Sequence, residues 1–319
     1  MKVIVTGGAG FIGSNIVRML NDRGIEDIII VDNINTSEKW KNLTNKKYLE
    51  YVHKNDFLDK LEEYKDVTHI IHMGACSATT ETDFDYLYNN NYQYTIKLWE
   101  FCSERNISFI YASSAATYGA SEVFDDNQIE GLMPLNRYGY SKQIFDIWSL
   151  KQEKRPKQYV GLKFFNVYGP NEYAKGKMAS VIYHGFNQIK ETGKIKLFKS
   201  YKKEYKDGGQ LRDFVYVKDI VSVIAYFIDN SQYNGIYNLG TGRAESFKTL
   251  GESIFKALNL KPNIEYIEMP ETLKDKYQYY TQANIEKLRN IGYDKKFYTL
   301  EEGAIDYVKN YLNQDFKIN

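Results

Sequence analysis

The most constraining feature of this sequence is a glycine-rich turn close to its start. An apolar, β-branched run at residues 2–6 leads directly into the string Thr-Gly-Gly-Ala-Gly-Phe-Ile-Gly, whose glycines are Gly7, Gly8, Gly10 and Gly13. Glycines at such spacings allow a tight turn and bring N–H groups at a helix N-terminus close to a pyrophosphate. Because a strand-like run precedes the turn and apolar residues recur at helical spacing after it, the pattern predicts a dinucleotide-binding site.

The second predicted strand, at residues 28–31, leads into an acidic residue that bears on the choice of dinucleotide. Asp32 stands about 20 residues beyond the glycines, where a carboxylate accepts hydrogen bonds from ribose hydroxyls. A carboxylate there favours NAD, since it would repel the 2′-phosphate of NADP. Lys39 or Lys54 would neutralise such a phosphate, however, so these residues leave NAD and NADP both open.

Short β-branched runs alternate with longer helical stretches over the first two-thirds of the chain, as in a parallel sheet with crossover helices. We predict strands at residues 2–6, 28–31, 68–72, 107–111 and 159–164. A long helix is expected over residues 84–105, and another from about Tyr138. The predicted fold class is α/β, a Rossmann-type doubly wound parallel sheet with a smaller C-terminal lobe.

Beyond about residue 170 the alternation loosens, which indicates a change of organisation. We assign residues 1–170 to a dinucleotide-binding domain, to which later segments return, and residues 171–319 mainly to a substrate-binding α/β lobe. The polar, lysine- and tyrosine-rich segment 199–210 is predicted to be a loop. The runs assigned to the smaller lobe are strand-like at residues 213–217 and 237–239 and helix-like at residues 300–312. No proline-rich linker separates the two parts, so we expect them to share a cleft.

The composition excludes several classes of protein. With 42 basic and 41 acidic residues the net charge is +1, so no overall attraction to nucleic acid or to an anionic membrane is expected. The apolar runs fall far short of the ~20 residues of a membrane span. Cys76 and Cys102 share no metal-ligand spacing and are too few for a disulfide scaffold. We therefore expect a soluble, cytoplasmic protein that binds no metal.

A Tyr-x-x-x-Lys pair supplies candidate acid–base chemistry. Tyr138 and Lys142 stand at positions i and i+4, which share one face of a helix. A nearby ammonium, helped by a nicotinamide cation, lowers the pKa of a phenol from about 10, and the lysine can also hold the nicotinamide ribose. Ser114 follows the predicted strand at residues 107–111, where its hydroxyl can bond the substrate oxygen that Tyr138 deprotonates. Together with the glycine turn, these residues predict an NAD(P)-dependent enzyme.

These three motifs, in this order, resemble those of the extended short-chain dehydrogenase/reductase superfamily of nucleotide-sugar enzymes. Further blocks over nearly the whole chain resemble one family within it, the ADP-L-glycero-D-manno-heptose 6-epimerases. The blocks begin at Gly74, Asn90, Ala112, Phe165, Lys175 and Asn238. The glycine turn is shared across the superfamily, whereas Gly-Ala-Cys-Ser at residues 74–77 and the block at Lys175 are much more particular.

The resemblance implies an NADP-dependent isomerase, with NAD as the alternative cofactor. It also implies a homo-oligomer. Both a pentamer and a dimer, the state common among relatives, stay open. The cofactor-binding residues are implied to be Gly7, Gly10, Phe11, Ile12, Gly13, Asp32, Asn33, Lys39, Lys54, Met73, Gly74, Ala75, Cys76, Ser77, Asn90, Lys142, Val167 and Lys175.

The resemblance further implies that the small-molecule substrate is ADP-heptose. The residues implied to hold it are Ser114, Asn166, Lys177, His184, Phe198, Lys199, Ser200, Tyr201, Arg212 and Tyr277. Arg212 makes physical sense as a charge-assisted clamp on a diphosphate. Two departures from the family's pattern fall among the residues implied to hold the substrate. Lys177 stands where a serine is familiar, and Phe-Lys-Ser-Tyr at residues 198–201 replaces Phe-Glu-Gly-Ser.

The implied reaction is epimerisation at C6 of ADP-D-glycero-D-manno-heptose, which supplies heptose for the lipopolysaccharide core. One base removes the C6 hydroxyl proton while hydride passes to NADP+, which leaves a transient 6-ketone. Because C6 is exocyclic, rotation about C5–C6 presents the other carbonyl face to the same hydride. The implied catalytic residues are Tyr138, Ser114 and Lys142, with Lys175 as the second acid or base.

Other readings of the same residues stay open. A UDP-hexose 4-epimerase shares the glycine turn, Ser114 and the Tyr-x-x-x-Lys pair, but normally retains NAD and has no need of Lys175. A 4,6-dehydratase is disfavoured, because Ala115 and Ala116 stand where those enzymes carry an acid. A ketosugar reductase would leave Lys175 idle. A non-catalytic NADP(H)-binding sensor is disfavoured because Tyr138 and Lys142 are both present.

Overall fold

The computed structural model describes residues 1–274 and 277–319 and is built around a parallel sheet. The strands are β1 (Val3–Thr6), β2 (Ile28–Asp32), β3 (Glu50–His53), β4 (His69–His72), β5 (Ser108–Ser114), β6 (Gln158–Phe164), β7 (Asn166–Tyr168), β8 (Ile195–Phe198), β9 (Leu211–Arg212), β10 (Phe214–Tyr216), β11 (Gly235–Leu239), β12 (Glu245–Ser246) and β13 (Ile264–Ile267). Seven of them form the central sheet in the order β11-β6-β5-β4-β1-β2-β3, with every neighbouring pair parallel. All five predicted strands are present, which confirms the doubly wound α/β fold.

The strand order places a crevice at one edge of the sheet. β1 and β2 are buried at every position, as expected where helices cover both faces of a parallel sheet. From β1 the chain crosses to β2 on one side, and later to β4 on the other. Crossover connections therefore diverge next to β1, and the carboxyl ends of β1 and β4 border the open crevice where ligands of this fold bind.

Helices connect the strands in the way that the apolar spacing predicts. They are α1 (Phe11–Asp22), α2 (Lys54–Phe57), α3 (Phe84–Leu87), α4 (Tyr94–Arg105), α5 (Arg137–Leu150), α6 (Val181–Thr192), α7 (Val217–Asp229), α8 (Phe247–Ala257), α9 (Glu271–Lys274), α10 (Glu286–Asn290) and α11 (Leu300–Tyr307). α1 buries Ile16 and Leu20, and Gly24 follows its end with a φ of +75°. The helix expected over residues 84–105 is continuous, because a π-helical stretch, Tyr88–Gln93, joins α3 to α4.

The smaller lobe packs α6, α8 and α11 around β8 in a second apolar core. Short two-stranded sheets complete it, formed by β7 with β10, β8 with β13 and β9 with β12. The helix expected over residues 300–312 is α11 followed by a π-helical stretch, Val308–Leu312. The segment 199–210 lies between β8 and β9 without helix or strand, as predicted.

Two assignments to the smaller lobe need correction. The run at residues 237–239 belongs to β11, the edge strand of the central sheet, where Tyr237 lies opposite Leu162 of β6. It is one of the later segments expected to return to the first domain. The run at residues 213–217 is shorter as a strand, because Val217 already begins α7. None of the helices within residues 1–274 and 277–319 has the length and apolar character needed to cross a bilayer.

Candidate active site

A cavity of about 480 Å³ opens at the carboxyl ends of the central strands. It runs from the glycine turn after β1 to the start of α5 and the segment that follows β7. Every residue that the sequence assigned to cofactor binding lines it, as do Ser114 and Tyr138. The lining residues that were assigned in this way are Gly7, Gly10, Phe11, Ile12, Gly13, Asp32, Asn33, Lys39, Lys54, Met73, Gly74, Ala75, Cys76, Ser77, Asn90, Lys142, Val167 and Lys175.

Close backbone contacts at the glycines shape the turn after β1. Gly7 has a φ of +66°, and a Cβ on it would lie 2.8 Å from the amide nitrogen of Gly74. A Cβ on Gly13 would lie 2.0 Å from the carbonyl oxygen of Gly7, to which the N–H of Gly10 donates at 2.9 Å. These contacts leave no room for a side chain at Gly7 or Gly13, so the turn presents backbone to the cavity.

The N-terminus of α1 fits the pyrophosphate of a dinucleotide. The helix begins at Phe11 with Gly10 as its N-cap, and within residues 1–274 and 277–319 no side chain accepts hydrogen bonds from its first N–H groups. Those groups point outward from the helix end and remain available to an anion. The cavity, the close-packed glycines and this helix end together match the requirements of a bound NAD or NADP.

Asp32 ends β2 and is buried, but its charge is already compensated. The carboxylate accepts hydrogen bonds from the N–H groups of Ala9 (2.9 Å) and Asn33 (2.7 Å) and from Nζ of Lys39 (2.6 Å). Lys39 also donates to the carbonyl oxygen of Asn33 at 2.7 Å. A ligand at the end of β2 therefore meets an ion pair with an accessible ammonium, since Lys39 is 27% exposed.

A second ammonium lies near the first. β3 pairs with β2 so that His53 is opposite Asp32, and Lys54 follows immediately. Nζ of Lys54 donates to Oδ1 of Asn90 at 2.6 Å, and both residues line the cavity. The end of the cavity next to β2 thus has two lysines against one carboxylate.

Three of the four predicted catalytic residues come from two adjacent elements, α5 and β5. Asn136 caps α5 by accepting a hydrogen bond from Gly139 N–H at 2.8 Å, which places Tyr138 in the first turn and Lys142 one turn further on. Nζ of Lys142 donates to the carbonyl oxygen of Ala112, a residue of β5, at 2.8 Å. Ser114 ends β5 and lines the same cavity. The structure therefore brings together Ser114, Tyr138 and Lys142, as the sequence predicted.

Burial shifts the pKa values of Lys142 and Tyr138. It lowers the pKa of Lys142 to about 8, although the carboxylate of Asp146 acts in the opposite direction. It raises the pKa of Tyr138 above the ordinary value, and a hydrogen bond with Ser114 only partly offsets this. The pKa of Tyr138 is thus raised, whereas the sequence predicted that Lys142 lowers it, because burial of the phenol outweighs its hydrogen bond with Ser114.

A buried ionic network lies behind these residues. Asp146, one turn beyond Lys142 in α5, accepts hydrogen bonds from Tyr111 (3.0 Å), Ser113 (2.6 Å) and Nζ of Lys163 (2.8 Å). The side chains of Asp146 and Lys163 are both 0% exposed. The network connects α5 to β5 and β6, and so fixes the relative positions of the helix that carries Tyr138 and Lys142 and the strand that carries Ser114.

Lys175 reaches the cavity from the smaller lobe's side of the chain. It lies in the 3₁₀ segment Tyr173–Met178, and its Nζ stands 5.6 Å from the ring centroid of Phe11. Lys175 and Tyr138 line the same cavity although they are far apart in sequence. Burial lowers the pKa of Lys175, and the carboxylate of Glu172 opposes that shift. The site therefore has two candidate acid–base groups, one on α5 and one after β7.

Most residues assigned to substrate binding lie outside this cavity. Apart from Ser114, those that do not line it are Asn166, Lys177, His184, Phe198, Lys199, Ser200, Tyr201, Arg212 and Tyr277. Three of them come together, because the Arg212 guanidinium stands 5.2 Å from the ring centroid of Tyr277, whose ring is 6.3 Å from that of Phe198. Among residues 1–274 and 277–319, no carboxylate lies within ion-pair distance of Arg212, and its Nη1 donates a hydrogen bond to the carbonyl oxygen of Leu211 at 2.8 Å.

The remaining members of that set are more dispersed. Lys199 is paired with Glu268 at the surface, and Tyr201 donates to the same carboxylate. Lys177 and Asn166 are exposed, while His184 lies in α6 beside Tyr183. The structure thus gives these residues separate environments.

Two asparagines at the cavity were missed in the sequence. The side-chain N–H₂ of Asn42 donates to the carbonyl oxygens of Ala9 and Asn171, at 3.0 and 3.1 Å, and both asparagines are buried and line the cavity. Asn171 has a φ of +75°, a conformation that asparagine tolerates better than other non-glycine residues. Its position directly after the Gly-Pro pair that follows β7 was the available signal. Asn42 carries no comparable signal, since only the tertiary structure brings it to the turn.

The fold and the site define a dinucleotide-dependent enzyme of the nucleotide-sugar type, and comparison with known proteins agrees. Residues 3–240 match the model of the NAD dependent epimerase/dehydratase family, and the chain belongs to that family. The predicted resemblance and the predicted class of enzyme, an isomerase, are thereby confirmed.

Individual relatives resemble the chain over almost its whole length. It is 52% identical over 327 residues to an ADP-L-glycero-D-manno-heptose-6-epimerase of Fusobacterium nucleatum subsp. nucleatum, with 98% of each chain covered. It is 51% identical to the enzyme of the same name from Nitratidesulfovibrio vulgaris, with 97% of each covered. The crystal structure of the Helicobacter pylori enzyme of that name superposes with a TM-score of 0.81 at 30% identity, covering 97% of this chain and 95% of the other.

Proposed function

We propose that this chain epimerises ADP-D-glycero-D-manno-heptose to ADP-L-glycero-D-manno-heptose at C6 through a 6-keto intermediate. The observation that carries the proposal is that Lys175 and Tyr138 line one cavity, since a carbon inverted through both of its faces is best served by two acid–base groups. The names of relatives that are 51–52% identical over nearly the whole chain support the choice of substrate.

A dinucleotide held by the glycine turn, the N-terminus of α1 and Lys142 would supply the hydride chemistry at C6. The protein's own residues handle the proton and the geometry. Ser114 donates a hydrogen bond to the reacting oxygen, and Tyr138, within hydrogen-bond reach of Ser114, takes the hydroxyl proton. Lys142 stabilises the phenolate through its ammonium, because it lies one helical turn away on the same face.

Lys175 serves the second orientation of the sugar. C6 is exocyclic, so rotation about C5–C6 turns the carbonyl over while the nucleotide stays bound. The oxygen then points toward a different protein group, and Lys175 gives it the proton that completes the opposite configuration. Because burial lowers the pKa of Lys175, its ammonium is a better proton donor near neutral pH than a solvated lysine.

NADP is the cofactor that we propose. Asp32 is neutralised by Lys39 at 2.6 Å, and Lys54 follows the neighbouring strand, so a 2′-phosphate would meet a net positive end of the cavity. This electrostatic balance offsets the repulsion that a free carboxylate at the end of β2 would exert on NADP.

The diphosphate of the substrate is proposed to bind at Arg212. Its guanidinium is held over Tyr277 and Phe247, and Nη1 donates to the carbonyl oxygen of Leu211 at 2.8 Å, so its other N–H groups would make the charge-assisted contact. Residues 198–201 and Lys177 are proposed to complete the nucleotide site when the substrate binds.

The direct test is to incubate the purified protein with ADP-D-glycero-D-manno-heptose without added cofactor and to follow the C6 epimers by NMR. Conversion to the L-glycero epimer is expected, with cofactor that co-purifies and is recycled. Absence of conversion, even with added NADP+ or NAD+, would overturn the heptose assignment. UDP-hexoses are the comparison substrates, since conversion of these alone would indicate a 4-epimerase.

Lys175→Ala is expected to retain the cofactor and to lose epimerase activity by about 10²- to 10⁴-fold, the range typical of a positioned acid–base group. Lys190→Ala, at an exposed position of α6, is the control and should retain full activity. Near-normal turnover of Lys175→Ala would remove this lysine from the mechanism.

A further inference from the structure

A buried carboxylate bridges the two ends of the segment that carries Lys175. Glu172 is 1% exposed and directly precedes the 3₁₀ segment Tyr173–Met178. One of its oxygens accepts a hydrogen bond from Oγ of Ser180 (2.7 Å) and a long one from Gly169 N–H (3.4 Å), and the other accepts from Ser180 N–H (2.6 Å). A single carboxylate thereby joins the backbone on both sides of Lys175.

The backbone within this segment depends on that closure. Gly176, the residue after Lys175, has φ +53° and ψ −130°, so the 3₁₀ segment is kinked there. Ser180 begins the next element, because its Oγ caps α6 by accepting a hydrogen bond from Tyr183 N–H at 3.2 Å. Glu172 thus connects the end of β7 to the start of α6, and the Lys175 segment is a short loop between two anchored points.

Glu172 is also the charged group that acts most directly on Lys175. Burial lowers the pKa of Lys175, while the Glu172 carboxylate raises it. The ring of Phe11 lies beside the ammonium and carries no charge. The other titratable or charged residues that line the cavity from surrounding elements are Asp32, Lys39, Lys54, Cys76, Tyr86, Tyr94, Tyr138 and Lys142.

We propose that Glu172 is the positioning residue for Lys175, because its buried carboxylate both closes the Lys175 segment and supplies the negative charge that balances the ammonium. The proposal rests on the role of Lys175 in the proposed function. It concerns a residue that touches neither the cavity nor the reacting atoms, since Glu172 is outside the cavity lining. Its effect on the reaction is therefore exerted entirely through Lys175.

Glu172→Gln tests this, because it keeps the size of the side chain and removes its charge. The holoprotein should keep its cofactor, measured by absorbance after denaturation, while epimerisation falls by about tenfold or more, a part of the contribution of an acid–base group. One limb of the pH–rate profile is assigned to Lys175 if Lys175→Ala abolishes it. In Glu172→Gln this limb should move to lower pH, because the carboxylate that raised the Lys175 pKa is gone. Glu191→Gln, at an exposed position of α6, is the control and should leave both rate and profile unchanged.

A second measurement reports on Lys175 without using the reaction. Competitive acetylation of the holoprotein with acetic anhydride over a range of pH, followed by mass spectrometry of the Lys175 peptide, gives the pKa of this lysine. Glu172→Gln should lower it relative to wild type. An unchanged Lys175 pKa together with an unchanged rate would overturn the proposal.

The two measurements separate this proposal from the proposed function. A lowered Lys175 pKa in a protein that converts no ADP-heptose supports the role of Glu172 and rejects the substrate. If Glu172→Gln fails to fold, Ser180→Ala takes its place, because loss of the Oγ hydrogen bond raises the pKa of Glu172 and weakens its negative charge. The Lys175 pKa should then fall by a smaller amount, and a value equal to wild type would reject the proposal.

Discussion

The two sides of the molecule hold their functional residues in different ways. At the dinucleotide side, backbone contacts and a buried ion pair determine the positions: Gly7 and Gly13 touch across the turn, and Asp146 and Lys163 are fully enclosed. On the proposed substrate side, the residues make aromatic contacts and exposed ion pairs, as where the Arg212 guanidinium lies over the Tyr277 ring.

The difference follows from what each side must do. A cofactor that is recycled in place requires a rigid cradle, and close-packed backbone provides it because bulkier residues cannot fit. A substrate that must enter, rotate and leave suits a surface whose contacts are made by side chains that can rearrange. We therefore expect substitutions on the dinucleotide side to affect folding and cofactor binding, and those on the substrate side to affect mainly KM.

The largest effect is expected for Asp146→Leu, which leaves the enclosed ammonium of Lys163 without its partner. Breaking one member of a buried ion pair costs about 3–5 kcal/mol, so the free energy of unfolding, measured with urea, should fall by that amount. The double variant Asp146→Leu/Lys163→Met should recover much of the loss, because neither charge is then buried. Lys199→Met, which removes an exposed ion pair with Glu268 on the substrate side, is the comparison and should leave the urea midpoint unchanged.

Gly13→Ala should be next in size. Its Cβ would lie 2.0 Å from the carbonyl oxygen of Gly7, so the turn must shift, at a cost of about 1–3 kcal/mol in stability and with loss of bound cofactor. Gly251→Ala is the matched control, since that glycine is also helical and its Cβ would meet Ile195 only at 3.5 Å. The control should keep its cofactor and melt at the same or a higher temperature. Equal cofactor content in the two purified variants would contradict the role given to the glycine turn.

Arg212→Gln should have a smaller effect that is confined to the substrate. Loss of hydrogen bonds from a charged donor is worth about 1.5–3 kcal/mol, so KM for the nucleotide sugar should rise by about 10- to 150-fold. Cofactor content and the urea midpoint should stay close to wild type, because Arg212 lies outside the cofactor cavity. A loss of kcat at unchanged KM would show that the arginine acts on the chemical step instead.

The sequence predicted more of the dinucleotide side than of the proposed substrate side, because the residues of the first side form local patterns. The glycine turn, Asp32, Ser114 and the pair Tyr138 and Lys142 are local patterns, in which spacing along one strand or helix already determines which groups are neighbours. The structure accordingly places all of them at one cavity. Asn42 and Asn171 were missed because their contact joins residues 129 positions apart.

The residues assigned to the substrate show the limit of such patterns. They were assigned through the resemblance, and they are spread over several elements in both parts of the chain, so spacing indicates nothing about their proximity. In the structure Phe198, Arg212 and Tyr277 come together, whereas Lys199 and Tyr201 are engaged by Glu268.

By itself, the sequence determined the α/β fold, the dinucleotide turn and the Tyr-x-x-x-Lys face of α5, because each depends on periodicity or on steric demands within a few residues. Only the tertiary structure decided that β11 returns to the central sheet, that Lys39 compensates Asp32 and that Glu172 closes the segment of Lys175. Those features depend on burial and on distances between elements far apart in the chain, and the free energy of a charged group is set by its surroundings rather than by its neighbours in sequence.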